Sequence, residues 1–424
     1  MILRRVLTIT LIAGLLAAAA LAAFARGGYE RLYWIPVGVI LVCLLAMVVI
    51  GQNHDYLSRH INLRVAIPFA LYLFWAGFSY PGSIDRESTY FELFRLFTLG
   101  TVLLLASVAF DNRWEKWALA LGLCLIGCAE ALYGLTERAT GQALLPFAFL
   151  PHDFRQVIGT FGNRNHFADF LNMSFFLGLG LLASRGSLPS PSAERLAQKI
   201  IFTLPLAVLF VALVLTISRG GWFCFGIGFM VWLWLLWRHQ RPGLARVPLA
   251  AALVLAVGLM FVARMDLTPV QQRIATFEEI YHQPDELTGE GRVSIWKSTL
   301  RMIKDRPVFG TGLGTYRWAF PAYREKNLFY GVRFAHNDYL QMAAEIGVPG
   351  LILWCIFIYM LLREAMRTIR RHPYAPDSQA VMAITAGLVA VLTHELIDFG
   401  LAVPANAIMF YGMAAIVICA EDGR

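Results

Sequence analysis

Charge is scarce in this chain. Of its 424 residues only 15% are Asp, Glu, Lys or Arg, while 58% are hydrophobic and the mean hydropathy is +0.60. Ordinary soluble domains carry about 25% charged residues. The balance therefore excludes a water-soluble domain and points to a polytopic membrane protein. Cysteine is sparse too. The six are Cys43, Cys124, Cys128, Cys224, Cys355 and Cys419, all within apolar runs. None is placed to staple an exposed loop. Cys124 and Cys128 stand one helical turn apart, but no neighbouring His or Cys completes a metal site, so they read as small core residues. Several catalytic signatures are missing as well. There is no Asp-x-Asp, no His-Glu-x-x-His, no phosphate-binding glycine loop ending in Lys-Ser/Thr, and no Gly-x-Ser-x-Gly. Nucleotide hydrolysis, metal-dependent nucleotide-sugar transfer and serine hydrolysis all lose support. No metal or other cofactor is expected, and basic side chains must bind any phosphate.

What is present is a series of long apolar runs. Windows of about 17–25 apolar residues can span a bilayer. About twelve are found: 6–25, 34–50, 66–80, 91–110, 117–137, 166–184, 200–217, 221–237, 247–264, 339–362, 379–396 and 402–420. The expected fold is all-α, with one integrated membrane domain. Spans one to nine fill 1–264, a long loop occupies 265–338, and spans ten to twelve fill 339–424. Residues 1–25, with Arg4-Arg5 ahead of an Ala-rich run, look like a secretory signal peptide. The run is long for one and is read as a first span.

Basic residues orient the bundle. With the N-terminus and even-numbered loops placed in the cytoplasm, those segments hold seventeen Lys or Arg against seven in the opposite short loops. The positive-inside rule then puts both termini in the cytoplasm. The formal charge of +8 is largely this topology signal, so nucleic acid is not an expected partner. Within the long loop, RVSIWKSTLRMIKD places Val293, Trp296, Leu300 and Ile303 at helical spacing. Lys297, Arg301 and Lys304 fall on another face, which predicts an amphipathic helix lying on the membrane or capping a cavity.

Ionisable groups inside spans are costly and tend to be functional. Here they gather at one end. Glu92, Arg95, Glu130, Glu137, His166, Asp169, Arg219, Asp338, Glu345, His394, Glu395 and Asp398 all fall in the outer half by this topology. A transporter or channel would carry polar groups along a path through the membrane. One-sided polarity instead fits a cavity open to the outside that handles the polar head of a lipid-anchored molecule. Each group taken singly is also explained by snorkelling or by local pairs such as Glu92–Arg95.

Three stretches could carry chemistry. Gly159–Ala168 contains Asn163, Arg164, Asn165 and His166 just before a span; an Asn can cap the helix, and Arg beside a helix start is a natural anion site. Thr216-Ile-Ser-Arg219-Gly-Gly221 is a tight turn. Its Arg offers paired planar donors to phosphate or simply snorkels into head groups. FAHNDYLQMAAEIGVPG places His336 at a span start, with Asn337 or Asp338 as cap, a kink at Gly347-Val-Pro-Gly350, and Arg333 just ahead.

On this last stretch the sequence resembles the O-antigen ligase/polymerase family of bacterial envelope proteins. His336-Asn337 is followed by nine residues, then Gly347, two more residues, and Gly350, which completes the pattern of the ligases. The GNRNHFA and SRGG segments and the long loop ahead of the His are similar to the family's as well. The resemblance implies a metal-independent, inverting glycosyltransferase of GT-C-like architecture in the bacterial inner membrane, with its site facing the periplasm. The donor would be a glycan on undecaprenyl diphosphate and the acceptor a sugar hydroxyl of lipid A–core. His336 would accept a proton from, or orient, the acceptor hydroxyl. Arg219, Arg292 and Arg164 would neutralise the diphosphate, with Arg155, Arg301, Arg317 and Arg333 as rivals. Asn337, Asp338, Asn165 and His166 would position groups around it. An O-antigen or exopolysaccharide polymerase is the alternative. A protein O-oligosaccharyltransferase or a polysaccharide transporter lies further off.

Overall fold

The computed structural model describes residues 2–51, 61–110, 112–143, 156–185, 192–239, 291–325 and 331–419. All regular structure among them is helical: α1 (Ile2–Phe24), α2 (Arg31–Gly51), α3 (Leu63–Phe78), α4 (Arg86–Ala109), α5 (Arg113–Thr140), α6 (Arg164–Arg185), α7 (Ser192–Leu215), α8 (Arg219–His239), α9 (Arg292–Asp305), α10 (Tyr316–Ala319), α11 (Asp338–Arg371), α12 (Pro376–His394) and α13 (Pro404–Ile418), with short 3-10 turns at 26–28, 320–322 and 400–402. Eight of these helices are long and apolar enough to cross a membrane. Three shorter apolar helices, Leu63–Phe78, Thr203–Leu215 and Pro404–Ile418, accompany them. Eleven of the twelve expected spans thus appear as helices. The twelfth, 247–264, lies outside the described residues.

Helix α6 runs through the middle of the bundle. It packs most extensively on α12 and also on α5, α7, α8 and α13. Its sequence allows this, because Phe167, Phe170, Phe175 and Phe176 point in several directions and are all fully buried. A helix that is apolar on every side is one surrounded by neighbours. A second, smaller cluster of Ile295, Met302, Tyr316, Phe320, Ala335 and Ala344 holds α9 and α10 over the first turns of α11.

The amphipathic segment does form a helix, α9; Trp296 and Ile303 of the expected face pack partly into the cluster, but the buried centre of the face is rotated from them. Ile295, Ser298, Thr299 and Met302 are buried, whereas Val293 and Leu300 are exposed. Hydrophobic periodicity missed this because half the packing face is hydroxyl. Thr299 pairs with the Tyr316 hydroxyl at 2.6 Å and donates to the Ile295 carbonyl at 2.8 Å, so its burial leaves no polar group unmet.

The expected kink in the His336 span is present, and its centre is Gly347 rather than Pro349. Gly347 adopts φ 78°, ψ 169° inside α11. A break frees backbone groups, which must find partners at membrane depth. They do so in the segment ahead of the motif. Thr311 N–H donates to the Ala344 carbonyl at 3.0 Å, Gly312 N–H to the Glu345 carbonyl at 2.9 Å, and Val348 N–H to the Pro307 carbonyl at 2.8 Å. The Trp75 indole takes the Ile346 carbonyl at 2.9 Å. A Cβ at Gly347 would collide with the Val308 carbonyl and would need a φ that side chains rarely adopt. Gly347→Ala is expected to lower stability by at least about 2 kcal/mol. Thermal unfolding of the detergent-purified protein reads it; an unchanged midpoint would mean that this segment does not lock the kink.

Among the described residues, the buried charges at the opposite end are engaged. Glu364 is buried beside Arg367 and lies 3.7 Å from Arg64, Arg113 pairs with Asp377 at 3.0 Å, and Lys116 donates to the Cys419 carbonyl.

Candidate active site

The site grows from the junction of three chain segments. Asn337 caps α11, its Oδ1 accepting from Leu340 N–H at 2.9 Å while its Nδ2 donates to the Leu396 carbonyl at 2.8 Å. Asp338 N–H donates to the Glu395 carbonyl at 2.9 Å. Both functions of the Asn337 amide are therefore engaged by backbone, and the 336–338 turn is bolted to the loop after α12. His336 sits at the bend with φ 50°. A bulky residue in this region is held there by its surroundings, a feature that clusters at functional sites.

The same loop carries Asp398, 1% exposed. Its Oδ1 lies 3.6 Å from His336 Nδ1 and 3.9 Å from His166 Nε2. Its Oδ2 accepts from Asn165 Nδ2 at 2.5 Å, and Phe399 N–H donates to Oδ1 at 3.0 Å. Burial alone would push this carboxyl up. The His336 ring, then His166, His394 and Arg292, more than offset that and hold it below the usual carboxylate range. Asp398 is a carboxylate held by the Asn165 amide and the Phe399 N–H, with two imidazoles within 4 Å. Glu395, three residues earlier, accepts from Leu401 N–H at 3.1 Å.

Asn165 reaches further. Ser218 Oγ donates to its Oδ1 at 2.8 Å, and Gly221 N–H donates to Ser218 Oγ at 3.1 Å. The GNRNHFA and SRGG segments are thereby one unit. The two glycines have a packing reason: a Cβ at Gly220 would strike His394 Nε2, and one at Gly221 would come within 2.5 Å of Ala168. His394 is itself buried, with Nδ1 2.5 Å from Asp169 Oδ1. Asn406 anchors the assembly from α13, donating to the His166 and Gly400 carbonyls at 3.0 and 3.1 Å.

Arg219 opens α8 at this turn, and Arg164 and Arg292 stand close enough for their charges to act on it. Arg164 also donates to Gln156 at 3.3 Å. Arg292, the first residue of α9, acts on Asp398 and His394 as well. The structure thus gathers His336, Arg219, Arg292, Arg164, Asn165, His166 and Asn337 around Asp398. Asp338 and Arg333 instead face a separate cavity on the other side of Phe334. Of the rival arginines, Arg301 donates to Ser298 and to the Tyr323 carbonyl, and Arg317 stacks on Trp318. Arg155 lies outside the described residues.

Asp398, Asp169 and His394 are the members that sequence reasoning grouped with the other ionisable residues without assigning them to the site. That grouping was the available signal, while their partners lie in distant segments. In this setting an imidazole can exchange a proton with a hydroxyl, and a group of guanidiniums can hold a polyanion. Residues 204–355 match the family model described as O-antigen ligase. The match takes in Arg219, Arg292 and the whole His336–Gly350 pattern. A search of curated proteins found no match.

Proposed function

We propose that this chain, which carries the O-antigen ligase family's domain over residues 204–355, transfers a glycan from undecaprenyl diphosphate to a sugar hydroxyl of lipid A–core. Members of the family are membrane glycosyltransferase-like ligases and polymerases. The finer reading rests chiefly on one observation: His336 stands beside the buried Asp398 carboxylate, at the same end of the bundle where Arg164, Arg219 and Arg292 converge.

In this reading the His336 end faces the periplasm, both termini are cytoplasmic, and 265–338 is the outer loop of a GT-C-like enzyme in the bacterial inner membrane. The chemistry needs a base on one side of the anomeric carbon and cations on the other. Asp398 faces His336 Nδ1 and favours the tautomer that carries its proton there, which leaves Nε2 as the basic atom. The acceptor hydroxyl gives its proton to Nε2 as its oxygen attacks the anomeric carbon. The bond from that carbon to the diphosphate oxygen breaks, and undecaprenyl diphosphate departs with the electron pair. Attack opposite the leaving group inverts the anomeric centre. Arg219, Arg292 and Arg164 meet the charge that develops on the diphosphate. No nucleotide is consumed, because the diphosphate linkage is already activated.

The glycan profile of a deletion strain tests the assignment. The expected result is intact lipid-linked polymer together with bare lipid A–core. Accumulation of single lipid-linked repeat units would replace the ligase by a polymerase. Unchanged glycans would overturn both.

A further inference from the structure

A cavity of about 870 Å³ lies beside His336 without including it in its lining. Tyr72, Arg95, Phe334, Asp338, Glu395 and Tyr411 help to line it, and none of His336, Asp398, Arg164, Arg219 or Arg292 does. Its boundary with the His336 group is an aromatic wall. Phe334 stacks on Phe399 with centroids 4.1 Å apart, and Phe399 presents its ring to His336 at 5.1 Å and to His166 at 4.6 Å. The cavity and the arginine group therefore flank the catalytic histidine from two sides.

The floor of this cavity is built for hydrogen bonding. Tyr72 and Tyr411 are each only 4% exposed, and among the described residues neither hydroxyl makes a hydrogen bond. Both belong to the cavity lining, near enough to Asp338 for its charge to reach Tyr72. Buried hydroxyls need partners, and these face the open space. Carboxylates surround them. Glu92 is already paired with Arg95 at 2.5 Å, and Glu345 is occupied by the N–H groups of Gly314 and Tyr316. Asp338 and Glu395 add further hydrogen-bonding carboxyls. Four arginines line the cavity as well, but Arg31 pairs with Glu87 at 3.0 Å, Arg95 with Glu92, and Arg317 lies over the Trp318 ring, so sugar hydroxyls find donors, acceptors and aromatic faces here where a diphosphate meets cations already engaged. The volume falls within the ~300–1,000 Å³ range of small-molecule sites.

A second feature says how such a ligand arrives. Between α3 and α4, an apolar groove of about 510 Å³ is lined by Leu73, Gly77, Leu93, Leu96 and Phe97, among others. Leu96 belongs to both groove and cavity. The groove runs between two apolar helices whose outward faces meet lipid, and a Cβ on Gly77 would touch nothing within 4 Å. An apolar channel leading sideways from lipid to a polar, aromatic chamber suits a molecule with acyl chains at one end and sugars at the other.

We propose that this cavity is the saccharide subsite for the acceptor glycolipid, and that the α3–α4 groove is its lateral portal. The inference rests on the transferase reading above and adds which compartment each substrate occupies. The donor's diphosphate lies on the arginine side, the acceptor's sugars lie on the tyrosine side, and the acceptor hydroxyl meets His336 past the edge of Phe334.

The test uses the full-length protein in detergent, with the lipid-linked glycan as donor and lipid A–core as acceptor. Removing the two hydroxyls in Tyr72→Phe/Tyr411→Phe is expected to raise the acceptor KM at least tenfold and leave the donor KM unchanged. An unaltered acceptor KM, or a rise in the donor KM instead, overturns the assignment. Should the double variant fail to accumulate, Tyr411→Phe alone is expected to raise the acceptor KM about threefold, with the same contrary outcomes. Gly77→Trp is expected to slow ligation to intact lipid A–core at least fivefold while leaving deacylated lipid A–core unaffected. An equal effect on both, or on neither, removes the portal. Calorimetric titration with deacylated lipid A–core keeps the subsite separable from the transfer reaction. If the unaltered protein shows no transfer, the functional reading fails. A tenfold loss of calorimetric affinity in the double variant would still support a saccharide site, and unchanged affinity would remove it.

Discussion

Replacing His336 by alanine in cells that lack the native copy is expected to abolish ligation while the protein accumulates to a normal level. General-base catalysis contributes on the order of 10²–10⁴ in rate, so a fall of that size is expected with purified enzyme. The backbone at this position needs care. His336 holds φ 50°, a region that asparagine tolerates better than alanine. His336→Asn therefore keeps the turn with less strain and isolates the loss of the ring. The two variants are expected to be equally inactive. Full activity in His336→Asn would remove this side chain from proton transfer. A companion change, Asp398→Asn, separates orientation from chemistry. It preserves size but loses the buried negative charge that Nδ1 faces at 3.6 Å. Turnover is expected to fall by about 10² or more, in line with the loss of a carboxylate that sets a histidine's tautomer, with little change in either KM. Normal turnover in Asp398→Asn would mean that the histidine orients itself without this carboxylate.

The features that local sequence encodes were legible. Apolar runs gave eleven of the helices now seen, and the His336–Gly350 spacing gave the kink and a resemblance that the family-model match over residues 204–355 supports. Gly347 is the clearer case, because a glycine two residues ahead of a proline inside an apolar span already signals irregular backbone. What the sequence could not show was the partner of that break, since the carbonyls of Ala344 and Glu345 are met by N–H groups from residues 311 and 312. The same limit hid Asp398. Its place among the ionisable residues was readable, but its convergence with His336, His166 and Asn165 depends on α12 lying against α6, a packing fact far from any local pattern. The hydroxyl half of the α9 face was missed for another reason. Hydrophobicity ranks Val293 and Leu300 above Ser298 and Thr299, yet a hydroxyl with a partner can be buried as readily as a methyl group. The cavity beyond Phe334 left a weaker trace. Tyr72 and Tyr411 read as span aromatics until the helices set them together.

The arginines allow a sharper test than simple truncation, because lysine keeps the charge and removes only the fork. Arg219 sits at the first position of α8, behind a Gly-Gly pair that lets the turn close against His394 and Ala168. Arg292 reaches the same region from the first position of α9. Two guanidiniums approaching from different elements can each offer paired N–H donors to neighbouring oxygens, which a point charge on a flexible stem cannot reproduce. Removing one preorganised donor from a developing anion typically costs about 10²–10³ in rate. Arg219→Lys and Arg292→Lys are each expected to lower kcat by roughly this factor in the purified ligation assay, without altering the acceptor KM. The double variant should lose less than the product of the two single losses, because both groups serve one charge and act as a unit. If either lysine variant turned over at the normal rate, that arginine would be acting through charge alone or would lie off the reaction path. Normal turnover in both would move the diphosphate clamp to Arg164 and its neighbours on α6. The acceptor KM is the internal control. It reports the compartment beyond Phe334, which these two side chains do not line, so a rise there would contradict the division of the site into a diphosphate side and a sugar side.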